Sequence, residues 1–494
     1  MPTSQTFPLS GGLDLKTPVH KMPPGRLIQA LNVEQKIAGG YGRLLGYEKF
    51  DTTEVPGEGS ILGVWVYAGK VYAFRKALGV STATMYESTG SGWTSKKTGL
   101  ALGNTYEFVN YNFAGTQKMY GVNGAHKAFE WDGTTWTDIT TGMSTDTPEH
   151  IIAHRKYLFL TFSHSVQYSP VGDPTGTWTP LTGAGEISVE EGVTGLMQLS
   201  GGSLAIFGRH STNILSGSGP SDWVNSSMTE HGNRIGCIPR SIQQLGSRLT
   251  YFDDRGLINL YTSDKFGDFA DATISYLVND ILLPLKDNVT TSCVVKDKSQ
   301  YRIFFQDGTG LIVTYAGDQM VGITRLKFPD PVETVCSLED SMGDEVIYFG
   351  SDTGYVYQME SGDSFDGADI EAFFRLAYTD LGSPRVRKRF HRANFGLEAQ
   401  STVTLQVKPD FQFESTGTIP PIDFTPVTFS TPGSLLGTGL LGSFILGASY
   451  ITEGQADLPG HGVYVSTFFY SVGTQPPWEV ESVSYDYTPR RRRR

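Results

Sequence analysis

Cysteine is scarce and unpatterned. Cys237, Cys293 and Cys336 fit neither the paired spacing of a zinc site nor a disulfide framework. They read as small core hydrophobes of a chain folded in a reducing compartment. No run reaches the roughly 18 apolar residues of a membrane span, so stable membrane insertion is not expected. The opening Met-Pro-Thr-Ser-Gln has no basic segment leading into an apolar one, so no signal peptide is expected. Helical patterning is confined to residues 25–35 and 274–283, and Pro284 stops the second. Positive charge is short as well: 39 Lys+Arg face 51 Asp+Glu, a net of −12. That excludes a protein gripping nucleic acid over its whole surface, but not one that DNA passes through.

Motifs of catalysis are missing too. There is no Gly-x-Ser-x-Gly, His-Glu-x-x-His or phosphate-binding loop. Asp363, Asp366 and Asp369 are spaced by three, but no Glu-terminated calcium loop follows. Neither catalytic residues, a metal nor a cofactor is expected. Trp93, Trp136, Trp178 and Trp223 sit in Gly/Ser/Thr-rich surroundings. No polar constellation repeats beside them, which favours packing residues over sugar platforms.

What the chain has is turns and strands. Gly 58, Pro 25, Tyr 24 and Phe 28 favour many short strands. Glu-Val-Ile-Tyr-Phe-Gly-Ser-Asp-Thr-Gly-Tyr-Val-Tyr-Gln-Met, residues 345–359, reads as a buried hairpin. The same phrase, an apolar run, a polar break and a second apolar run, recurs six times upstream. Registered on Tyr72, Tyr120, Leu158, Ala205, Thr250, Ile303 and Ile347, it steps by 38 to 53 residues. A β-rich period of roughly 40–50 residues is the signature of propeller blades. The expected fold is all-β: a propeller of about seven blades over 56–362, behind an N-terminal arm over 1–55. A β-sandwich-like domain follows over 363–494.

Four stretches point to partners. The arm carries Pro23 and Pro24, which force an extended backbone, and apolar studs at Leu27, Ile28 and Leu31. It reads equally as an arm laid on another surface or as a strand closing the propeller. Arg-Val-Arg-Lys-Arg-Phe-His-Arg, residues 385–392, read as a strand, puts Arg385, Arg387, Arg389 and His391 on one face, opposite Val386 and Phe390. That face suits an inter-subunit contact ahead of DNA. Residues 435–449 repeat Gly every fifth position among Leu435, Leu436, Leu440, Leu441, Phe444, Ile445 and Leu446. This is an apolar loop needing a partner surface, in a channel, at an interface or at a tip. The last five residues, Arg490, Arg491, Arg492, Arg493 and Arg494, suit phosphates or an acidic partner.

The opening arrangement Gly-Gly-Leu…Pro-Pro-Gly…Leu-Asn…Gly-Gly-Tyr…Gly-Tyr-Glu resembles that of the tail tube proteins of short-tailed bacteriophages, also called tail tubular protein B, nozzle or packaged-DNA stabilisation proteins. A second resemblance runs over 350–392, from Gly-Ser-Asp-Thr-Gly-Tyr-Val-Tyr-Gln-Met through Ser-Phe-Asp-Gly-Ala-Asp-Ile to Lys-Arg-Phe-His-Arg. The two cover under a fifth of the chain. The resemblance implies a structural virion protein, not an enzyme, assembled in the host cytoplasm into the virion tail. It implies a homohexameric ring below the tail adaptor and portal ring, with tail fibres or spikes and tip proteins as neighbours. Double-stranded DNA would pass through it without sequence specificity. The alternative from another class is a tail propeller that binds or cleaves host-surface glycans.

Overall fold

The computed structural model describes the chain except residues 1–2, 228–235, 263–268, 341, 400–402, 412–424, 430–449 and 491–494. It is built almost wholly of antiparallel strands. Seven four-stranded sheets follow one another along the chain. Blade 1 spans 58–101, blade 2 107–138, blade 3 151–188, blade 4 193–227, blade 5 243–273, blade 6 289–327 and blade 7 334–359. The first strands of neighbouring blades touch in order, and that of blade 7 touches that of blade 1, so the ring closes as a β-propeller.

All seven register residues of the repeated phrase fall on the second strand of their blade, paired to the third. These middle strands are buried on both faces, so they are the runs with the most apolar and β-branched side chains. A blade cannot bury both faces alone, so neighbours stack. Between blades 1 and 2, for instance, Phe74, Met85, Met119, Phe129 and Trp131 form one cluster. Polar groups inside the blades are matched. The Tyr72 hydroxyl donates to Glu87 at 2.9 Å and Lys70 pairs with the same carboxylate at 2.7 Å. Tyr120, Lys118 and Glu130 repeat the device in blade 2 at 2.8 and 2.5 Å.

Blade 7 borrows its outer strand from the other end of the chain. Tyr47–Lys49 pairs antiparallel to Val356–Met359. The ring is thereby latched by residues about 300 positions apart, and one of the two readings of the N-terminal segment, that of a closing strand, holds for this part of it. The rest does something else. Leu27–Leu31 joins a five-stranded sheet beside Ala372–Leu376, and Val33–Gln35 and Tyr41–Arg43 join a six-stranded sheet with Lys388–Ala399, Tyr450–Gly462 and Trp478–Pro489. Thr3–Pro8 pairs with Trp478–Pro489 as well. The two sheets meet through side chains. The rings of Phe395 and Phe469 are 5.3 Å apart edge-on, and Thr467 bonds Tyr485 at 2.8 Å.

The helix expected over 25–35 is therefore two strands. Asn32 sits between them at φ +51°, and cross-strand pairing to 373–376 outweighs the local apolar spacing. The second candidate is met in part, as an α-turn over Asn279–Leu282 flanked by 3-10 turns. Among the described residues no helix is long and apolar enough to cross a membrane.

The segment joining the two units is tightly fitted. Leu13 N donates to Ile323 O of blade 6 at 2.8 Å, and Leu27 N donates to Gly12 O at 2.9 Å. Gly12 has φ +62°, and a Cβ there would lie 2.4 Å from Ile323 N. Glu34, wholly buried, receives Lys36 and Lys298 at 2.8 and 2.9 Å, and Arg302 of blade 6 lies at 3.4 Å.

Candidate functional site

The basic run and the arginine tail, about a hundred residues apart in sequence, lie together. Lys388 pairs with Pro489 across the six-stranded sheet, and Arg490 N donates to Arg387 O at 2.8 Å. Arg385, Arg387, Arg389, Arg392 and Arg490 are all exposed, with His461 beside Arg389 on the neighbouring strand. Arg392 faces Asp457 at 3.4 Å. The result is a basic edge on an otherwise acidic molecule. Arg491–Arg494 lie outside the described residues.

The strand does not run as the alternation suggests. Ser383-Pro384 belongs to a turn, and the strand begins only at Lys388. Lys388 is wholly buried and donates to the carbonyls of Ser383, Val386 and Val463 at 2.9, 3.3 and 3.1 Å. Burial holds its pKa below the usual lysine value, with Asp380 pulling the other way. A bulge between Phe390 and Arg392 then half-buries His391, whose Nε2 meets Thr488 Oγ1 at 2.8 Å. So His391 leaves the expected basic face and Arg392 joins it.

The arm residues divide. Pro23 and Pro24 are exposed and Leu31 is half-buried. Leu27 and Ile28, expected at an interface, are 0% and 2% exposed and packed inside this chain. They lie in the chain's own core because each joins the strand paired to Ala372–Leu376. The apolar repeat with Leu435, Leu436, Leu440, Leu441, Phe444, Ile445 and Leu446 lies outside the described residues.

The tryptophans are packing residues. Trp136 stacks on Phe129 at 3.7 Å, Trp223 sits among Tyr157, Phe159 and Tyr168, and Trp178 donates to Pro174 O at 2.9 Å. The three cysteines are buried and free. Asp363 faces Arg43 at 3.8 Å and Asp366 pairs with Lys49 at 2.8 Å.

A second feature was invisible in the sequence because it draws on all seven blades. The first strands enclose an axial cavity of about 400 Å³. Trp65, Val109, Ile152 and Met197 are among its apolar lining, and Glu107, Arg240 and Glu333 among its charged lining. His150 Nδ1 and Glu107 Oε1 are 2.8 Å apart. Burial opposes charge on His150, but Glu107 outweighs it and raises the pKa above the usual histidine value. Arg240 has φ +64°, a strained setting for a non-glycine residue. Its backbone is pinned there, because Ser292 Oγ donates to Arg240 O at 2.7 Å and Gln243 Nε2 donates to Ser292 O at 2.8 Å.

No protein-family model and no curated protein matches the chain. Solved structures similar to it include virginiamycin B lyase from Staphylococcus aureus, at 11% identity over 61% of this chain and 94% of that one, with a TM-score of 0.40. BBS1N in complex with ARL6DN matches at 9% identity over 63% and 94%, TM-score 0.40. The extracellular domain of a hybrid two-component system from B. thetaiotaomicron matches at 10% over 66% of this chain and 45% of that one, TM-score 0.41. Likeness this slight carries no functional argument.

Proposed function

We propose that the chain is a structural protein of a short-tailed phage tail, forming a hexameric nozzle ring that extends the DNA exit channel and helps retain packaged DNA. One observation carries the reading. The two stretches that resemble the nozzle family, some 300 residues apart, make a single junction. Gly46 N donates to Gly362 O at 2.9 Å, and Tyr47 stacks on Phe365 at 5.0 Å and meets Phe349 and Tyr357 edge-on. The two resembling stretches thus meet at the latch of the ring, and their other residues lie against blade 6 and in the two packed sheets.

The axial cavity of one propeller is not the DNA path. A duplex whose major groove alone is about 12 Å wide does not enter a 400 Å³ space. In this proposal the channel is the hole enclosed by six copies, and heterologous contacts that close give such a ring. The tail adaptor and portal ring lie above it, with fibres or spikes and tip proteins around and below.

The test is imaging of assembled particles. One axial ring of this chain beneath the portal is the expected result. Separate trimers at the tail periphery would replace the conduit with receptor binding. Deleting residues 7–50 is not a clean probe, because it removes the latch of blade 7 and strands of both sheets of the second unit.

A further inference from the structure

The charged lining of the axial cavity is Glu107, Arg240, Lys296 and Glu333. Glu107 is held by His150 and Lys296 by Glu339, which leaves one charge of each sign unengaged, Arg240 and Glu333. Among the described residues neither side chain has a hydrogen-bonded or ion-pair partner, whereas the nearby Glu107 is engaged by His150. Each feels the other: Arg240 opposes the rise of the Glu333 pKa that burial and Asp352 cause. Glu107 and Glu333 likewise oppose the fall that burial imposes on Arg240. A guanidinium and a carboxylate that share a cavity but do not touch leave a gap with a positive and a negative wall. The same lining carries apolar side chains, Val109, Ile152 and Met197 among them.

We propose that this cavity is a binding site for a small zwitterion, an α-amino acid with an apolar side chain. The carboxylate would take the Arg240 fork, the ammonium would face Glu333, and the side chain would run down the axis. A simple anion would meet Glu333 and a simple cation would meet Arg240, so each would be repelled by one wall. A molecule carrying both charges satisfies both. The volume falls in the range of small-ligand pockets, about 300–1,000 Å³. The strained backbone of Arg240 fits a ligand clamp, since such strain persists only where surrounding bonds enforce it. Here Ser292 and Gln243 do so. The site lies away from the basic edge and does not depend on the assembly proposed above.

The experiment is calorimetric titration of the full chain with L-leucine, with isocaproate (the same skeleton without the amine) and with isoamylamine (the same skeleton without the carboxylate). Leucine is expected to bind saturably, and each single-charge analogue at least tenfold more weakly. Arg240→Gln and Glu333→Gln should each weaken leucine about tenfold while the circular-dichroism spectrum stays that of the parent. Absence of saturable binding by leucine, methionine and phenylalanine would overturn the proposal, and so would analogues binding as well as leucine. If Arg240→Gln fails to fold, the analogue series on the unaltered protein still decides.

Discussion

Glu34 shows what single residues do here. It is wholly buried, and burial alone would raise its pKa; Lys298, Lys36 and Arg302 outweigh that and hold it at about 2. The folded value lies below the ordinary 4.5, so the unfolded chain takes up the proton first as pH falls. The stabilisation is then complete above about pH 4.5 and is lost as the pH drops from there toward 2. Glu34→Gln leaves Arg302 and Lys298 with Glu360 as their carboxylate, at 2.5 Å from each, while Arg302 keeps its bond to Gln300 Oε1 at 2.7 Å. Removing one partner of a buried ion cluster costs about 3–5 kcal/mol, and the surviving Glu360 puts the expected loss near the lower end. Urea unfolding at pH 7 measures it, and the acid limb of the variant's stability curve should be flatter. None of this was legible. Val-Glu-Gln looks like any short strand, and apart from Lys36 the cations around Glu34 come from blade 6. Lys388 is no more legible: a charged residue inside a basic run gives no local sign that three carbonyls bury it.

The elements legible in the sequence were those made of neighbours. The second and third strands of each blade pair locally across a turn and are largely buried, so the repeated phrase found all seven pairs. First and outer strands were not found. Trp93–Ala101, the outer strand of blade 1, is mostly exposed and reads as a loop with lysines. The first strand Glu107–Asn112 is half-buried along its length, with no apolar face to betray it. Tyr47–Lys49 has three residues and a partner 300 positions away. Yet Tyr47 is wholly buried, its hydroxyl donates to Asp330 at 2.6 Å, and its ring touches four others. Tyr47→Ala should cost about 3–5 kcal/mol, as large-to-small changes of buried aromatics do. It should also open blade 7, so that limited proteolysis cuts near residue 50 in the variant and not in the parent. Gly46 tests the fit from the other side. A Cβ there would lie 1.9 Å from Ser364 O, a backbone atom that cannot step aside cheaply. Gly46→Ala is expected to lose about 1–3 kcal/mol by overpacking, read as a shift of the urea midpoint.

At the scale of the whole molecule, charge is divided between the units. Residues 56–362 carry 32 acidic and 21 basic side chains, a net of −11, whereas the basic edge gathers Arg385, Arg387, Arg389, Arg392 and Arg490 on the two-sheet unit. The sequence disclosed both halves of this contrast but not their geometry, since only folding sets Arg490 beside Arg387. Opposite charges on different units of one chain suit a head-to-tail contact, in which the basic edge of one copy meets the acidic propeller of the next. Such a contact is screened by salt: raising ionic strength from about 0.1 to 1 M shortens the Debye length from about 10 to about 3 Å. In the proposed tail role, attachment of the purified chain to particles assembled without it should therefore fall with salt. The triple variant Arg385→Glu, Arg387→Glu, Arg389→Glu should attach poorly even at low salt, while its unfolding midpoint stays close to the parent's because all three side chains are exposed. DNA is the competing partner, and the same variant separates the two. If it attaches normally but its particles leak packaged DNA, the basic edge faces the channel and the head-to-tail contact is wrong. If attachment fails equally on particles emptied of DNA, the arginines are holding protein.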